Sequence, residues 1–121
     1  MDLFEGKQSL SMAFSGIKKV LNLLSILSSR IKRSMVVLVE TIGWLGSILL
    51  IGAFLLSSMD KISTQSPMYQ LLNLIGGVML ILNSLYYGAL PSSFLNLIWS
   101  GIAIFYLAIM VRKNRKPRPT T

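Results

Sequence analysis

Three apolar runs organise the chain. The first, MVVLVETIGWLGSILLIGAFLLSS, covers residues 35–58; the others cover about 68–87 and 92–111. Each reaches the roughly 20 residues that an α-helix needs to cross the hydrocarbon core of a bilayer. The breaks between them are short. MDKISTQSP reads as a polar loop that ends in a helix start, with Ser66 as the cap and Pro67 at the first helical position, where no amide hydrogen is missed. YYGALP is too short for anything but a hairpin. Gly88 can take backbone angles that other residues avoid, and Pro91 opens the third helix. The last two spans are therefore expected side by side.

Residues 1–34 carry a different pattern. At about 100° per residue, Ser11, Ser15, Lys18, Lys19, Asn22, Ser25, Ser29, Lys32 and Arg33 fall on one side of a helix. Leu10, Ala13, Ile17, Val20, Leu21, Leu24, Leu27 and Ile31 fall on the other. Lys18 and Lys19 are central, and each would cost roughly 2.5–3.5 kcal/mol at the bilayer centre. A fourth span over residues 9–29 is therefore the weaker reading, and a basic amphipathic helix lying in the interface is the stronger. The segment also lacks the short apolar core and small-residue cleavage site of a secretory signal. The expected fold class is an all-α integral membrane protein: three transmembrane helices in a bundle, preceded by an amphipathic interfacial helix. Its organisation is 1–34 as a basic segment, 35–111 as the membrane domain and 112–121 as a basic disordered tail.

Composition agrees. Of the 121 residues, 53% are hydrophobic and 13% charged, against roughly 25% charged in an ordinary soluble domain. Between Thr41 and Val111 the only charged residues are Asp60 and Lys61, too few to cover a water-facing surface. The net charge of +8 sits beside the apolar runs, the usual pattern of membrane insertion, so no nucleic-acid partner is expected. The expected surroundings are a lipid bilayer, with the chain as a multi-pass protein of a bacterial inner membrane. Basic residues flank both ends of the membrane domain: Arg30, Lys32 and Arg33 before it, Arg112, Lys113, Arg115, Lys116 and Arg118 after it. The positive-inside rule therefore gives no clean answer: a cytoplasmic C-terminus is slightly favoured, because that tail abuts its span and carries no acid, a cytoplasmic N-terminus stands close behind, and insertion in both orientations is a third option.

With no cysteine and no histidine, disulfides, thiolate catalysis and the usual zinc ligand sets are excluded. The acids are Asp2, Glu5, Glu40 and Asp60. No nucleophile–base pair can be drawn from the spans, so no enzyme activity, cofactor or metal is expected. Chemistry is confined to polar stripes. On the second span Gln70, Asn73, Gly76, Gly77, Asn83, Ser84 and Tyr87 share a sector of about 140°. On the third, Ser92, Ser93, Asn96, Trp99, Ser100 and Ala103 cluster; the first offers Glu40, Gly43, Ser47 and Ser58. Small residues let helices approach, and amides hydrogen-bond across the gap at roughly 0.6–2 kcal/mol each. The competing use is a polar cavity for a small solute near mid-membrane. Asn73, Asn83, Asn96, Gln70 and Ser100 are the candidate residues for either. Trp44 and Trp99 are expected to pack, with an anchor near an interface as the alternative for Trp44; Tyr86 and Tyr87 are expected to mark an aromatic belt; and Glu40 is expected in an interfacial or capping place, with a proton-relay carboxylate as the weaker reading.

GWLGSILLIGAFLLSS, SPMYQLLNLIGG and NSLYYGALPSSFLNLIWSGIAI together resemble a family of small, uncharacterised bacterial membrane domains. The resemblance covers about residues 42–107 and rests on Gly43, Trp44, Gly46, Pro67, Tyr69, Gln70, Asn73, Gly76, Asn83, Gly88, Pro91, Asn96 and Trp99. It implies three membrane helices and no assigned activity. Tyr87, Gly88, Pro91 and Asn96 are also similar to a run in SWEET and PQ-loop half-transporters, three-helix units that dimerise to move sugars. That similarity implies a substrate-facing role for Asn96. The Pro-Gln pair expected near the end of the first helix is absent, as is the tryptophan expected before the Tyr-Gly pair.

Three functions remain at this stage. The first is a small membrane protein that acts through helix association, expected as a homodimer. The second is a homodimeric carrier for a small solute. The third is a holin-like permeabilising protein, suggested by size and the basic tail.

Overall fold

A computed structural model describes residues 2–114 as three α-helices: α1 (Asp2–Ser58), α2 (Pro67–Tyr86) and α3 (Leu90–Asn114). All three are long and apolar enough to cross a membrane, which makes the chain a multi-pass membrane protein. The second and third spans start and end within about three residues of the boundaries read from the apolar runs. Residues 115–121, most of the expected basic tail, lie outside the described residues, and α3 carries the chain in helical form through Arg112 and Lys113 to Asn114.

One expectation is corrected. No separate N-terminal helix ends near Ser34; α1 is a single helix of 57 residues that runs through Ser34 and Met35 without a break. The physical reason is local. Between Gly16 and Gly43 there is neither glycine nor proline, and the basic cluster of Arg30, Lys32 and Arg33 is compatible with a helical backbone.

The chain divides into two compact units that part between Val37 and Leu38. The first is the N-terminal part of α1, in which residues 3–35 are all exposed. The second holds the rest of α1 with α2 and α3, and its interior reverses the rule of soluble proteins. Among the described residues its buried polar side chains are Gln70, Ser84, Ser93, Asn96 and Ser100, and its buried apolar ones only Val39, Ala53 and Ala103. Leucines, isoleucines and phenylalanines stand on the outside. Lipid tails are as apolar as leucine, so such an exterior needs no burial, while close packing wants small residues within.

Both connections are built the same way. At the end of α2, Gly88 takes a left-handed backbone (φ +69°), its N–H donates to the Leu85 carbonyl, and the Ala89 N–H donates to the Ser84 carbonyl at 2.8 Å. These are the two bonds of a Schellman cap, which satisfies the last carbonyls of a helix. At the end of α1 the same pair recurs: Asp60 to the Ser57 carbonyl and Lys61 to the Leu56 carbonyl, with Asp60 in the left-handed position (φ +55°). The start of α2 is as read from sequence, with the Ser66 hydroxyl accepting from the Tyr69 N–H at 3.2 Å and Pro67 next.

Candidate functional site

The candidate residues lie along two seams that share α2. On its α1 side, the Asn83 amide donates to the Val39 carbonyl at 2.9 Å. Gly43 makes room for it: a Cβ there would stand 2.5 Å from Asn83 Nδ2. Gly46 and Gly76 meet backbone to backbone. A Cβ on either would lie 2.9 Å from the other's carbonyl oxygen. This is small-residue packing, with one amide fixing the register of α2 against α1.

On the α3 side, Ser93, Asn96, Ser100 and Ala103 form a buried stripe at spacings of three and four, the inward face of a helix. The Ser84 and Ser93 hydroxyls are 2.7 Å apart and buried. Each has one proton to give, so one donates across the seam while the other turns to its own helix, as Ser84 does toward the Leu80 carbonyl at 2.6 Å. Gly77 abuts the Ser100 hydroxyl. Ser100 is 4% exposed, and its hydroxyl is the one buried side-chain polar atom without a hydrogen-bond partner among the described residues.

The remaining candidates tie back to their own elements. The Asn73 amide donates to the Tyr69 carbonyl at 2.8 Å, and the Asn96 amide to the Ser92 carbonyl at 2.9 Å. The Gln70 amide donates to the Thr64 carbonyl at 2.7 Å and so clasps the α1–α2 loop onto the start of α2. Beside this clasp is a cavity of ≈ 210 Å³ whose walls include Tyr69, Gln70, Asn73, Trp99 and Tyr106. A second hollow, of ≈ 290 Å³, lies between α1 and α2 and is lined by Glu40, Gly43, Trp44, Ser47, Leu80 and Asn83.

The three asparagines therefore stand apart: Asn73 at the first cavity, Asn83 at the second hollow, and Asn96, 7% exposed, against neither. Neither tryptophan packs into the interior as expected. Trp44 is 73% exposed and Trp99 51%. Sequence reasoning placed Ser84 and Ser93 on inward faces without pairing them; their symmetric distance from the hairpin was the available signal. It missed Tyr106, one turn beyond the polar stripe of α3. Among the described residues, no three of His, Cys, Asp or Glu gather where a metal would need them.

No curated protein matches the chain, and no solved structure does. Nothing in these comparisons supports the similarity to SWEET and PQ-loop half-transporters. A family model matches residues 39–115, a region that takes in both seams, both hollows and the whole 42–107 stretch of the sequence motifs. The chain belongs to that family, an uncharacterised one with three candidate membrane helices in this member.

Proposed function

We propose that the protein acts through helix association in the membrane, with no chemistry of its own, and that it does so as a homodimer in a bacterial inner membrane. The observation that carries this reading is the use made of the polar and small residues. Gly43 with Asn83, Gly46 with Gly76, Gly77 with Ser100 and Ser84 with Ser93 all hold helix against helix. Asn73, Asn83 and Asn96 do not converge on one chamber. The basic residues Lys18, Lys19, Lys32 and Arg33 are the part of α1 suited to anionic headgroups. In this role, changing Asn96 to alanine lowers abundance or dimer content on cross-linking in native membranes and moves no solute flux. A variant that keeps normal abundance and dimer content but loses uptake of a solute would overturn the reading.

A second reading has one observation in its favour. The ≈ 210 Å³ cavity beside Gln70 and Asn73 pairs amide groups with Tyr69 and Trp99, a lining that fits a small uncharged polar solute. A carrier working through it loses transport when Asn73 becomes leucine, while dimer content stays at the wild-type level.

A further inference from the structure

Glu40 is the only carboxylate within the apolar runs 35–58, 68–87 and 92–111. A carboxylate inside a membrane segment is costly and marks a functional position unless something compensates its charge. Among the described residues, the polar group that reaches it is the Tyr87 hydroxyl, at 3.4 Å, a long contact. Lys32 and Arg33 are the nearest cations before it on α1, seven or eight residues away. That is about 10–12 Å along the axis and outside the three- or four-residue spacing that pairs side chains on a helix.

The neighbours of Glu40 define what would compensate it. Gly43, Trp44 and Ser47 follow at three, four and seven residues, on the same face of α1, and complete the ≈ 290 Å³ hollow with Leu80 and Asn83 of α2. Two donors of this hollow are engaged. The Asn83 amide gives one of its two protons to the Val39 carbonyl, and the Ser47 hydroxyl gives its own to the Gly43 carbonyl at 2.9 Å. What faces a ligand is a carboxylate, the Asn83 Oδ1 and Ser47 Oγ lone pairs, the second Asn83 amide proton, and the indole of Trp44, which is 73% exposed. A carboxylate, neutral acceptors and an aromatic face, with no cation in the lining, suit a group that is positive and rich in donors. A divalent metal wants six or more oxygens, and one carboxylate with two neutral acceptors does not supply them. An ammonium brings three donors and is held by an indole face as well. Glu40 is five residues into the apolar run that begins at Met35, about 7–8 Å along the helix, and a basic cluster precedes that run, which suits headgroup depth.

We propose that this hollow binds a primary ammonium group, with Glu40 as its counter-ion, Trp44 as its aromatic wall, and Asn83 and Ser47 as acceptors. Two sources share that chemistry: the headgroup of an ethanolamine lipid and a soluble amine.

The test uses the full chain in nanodiscs containing phosphatidylethanolamine and phosphatidylglycerol, with bound lipid read by native mass spectrometry after release. Wild type retains the ethanolamine lipid in preference. Glu40→Gln loses that preference by about tenfold or more, the factor for one charge-assisted contact. Trp44→Leu, which leaves the charge in place, loses it several-fold. Glu5→Gln, outside the three apolar runs, keeps it. Methylammonium added at rising concentration displaces the lipid if the site reads the ammonium alone. If it does not, the lipid headgroup as a whole is the ligand, and both results uphold the site. Equal retention by wild type and Glu40→Gln, with circular dichroism showing both fully helical, overturns the proposal. So does a Trp44→Leu variant that binds as wild type, since charge without the hollow would then suffice.

Discussion

The backbone-to-backbone crossing of Gly46 and Gly76 sets the sharpest prediction. At the α1–α2 crossing, a methyl added to Gly46 would stand 2.9 Å from the Gly76 carbonyl oxygen and 2.9 Å from Met79 Cβ. Carbon sits at about 3.3 Å or more from a carbonyl oxygen and about 3.5 Å or more from another carbon. The crossing must then open by about 0.4–0.6 Å, because both obstacles belong to main chain or to the first side-chain carbon and neither can swing away. A gap of that size forfeits about a quarter of the dispersion well for the pairs along the seam. Gly46→Ala is expected to cost about 1–3 kcal/mol, the usual range for overpacking. The measurement is a titration from mild detergent into sodium dodecyl sulfate, followed by far-ultraviolet circular dichroism. Gly52→Ala and Gly101→Ala are the controls, since nothing lies within 4 Å of a Cβ at either. Gly77→Ala separates sterics from position. Its neighbour is the Ser100 hydroxyl, which has no bond to break and turns aside, so the cost is at most about 1 kcal/mol. If Gly46→Ala unfolds within about 0.5 kcal/mol of Gly52→Ala, the close crossing does not carry the packing energy assigned to it.

Three further outcomes follow from single residues. In the same titration, Gly88→Ala loses about 1 kcal/mol because alanine resists the left-handed angle, and Asp60→Gly moves the other way. Ser100→Ala is neutral or gains up to about 1 kcal/mol, since it deletes a buried hydroxyl with no partner; a loss above about 0.5 kcal/mol would reveal a bond that the geometry does not contain. Gln70→Ala removes the clasp on Thr64, so limited proteolysis of the 59–66 loop accelerates by about fivefold, the factor for one hydrogen bond of about 1 kcal/mol.

The spans were legible because a bilayer asks one question of each stretch, whether it is oily for long enough, and composition answers it. The hairpin was legible because Gly88 and Pro91 punctuate the backbone directly. The continuity of α1 was not. A cluster of Arg30, Lys32 and Arg33 reads as a boundary for lipid, yet helix formation is decided at the backbone, where nothing interrupts it. The inward residues of α3 were also readable as a face, and Ser93, Asn96, Ser100 and Ala103 are buried. On α2 a single sector of polar residues hid two partners. Gly76 and Asn83 turn to α1 while Gly77 and Ser84 turn to α3. Periodicity shows that a face is unfit for lipid; it does not show which neighbour takes each part of it, because that depends on helix rotations set by contacts distant in sequence.

The family region begins at Val39, and the compact unit defined by contacts begins at Leu38. Two independent kinds of information thus isolate the same three-helix body. Most residues of the sequence motifs have work inside it. Gly43 and Gly46 seat α2, Ser66 and Pro67 start it, Gln70 clasps its loop, and Gly88 closes it. Trp44 stands out. It sits between two seam glycines, yet it is 73% exposed and lines the hollow beside Leu80 and Asn83. Packing explains the glycines on either side and leaves the tryptophan unexplained. A large ring held on the outside, one turn from Glu40, has its physical use in what it meets beyond the chain.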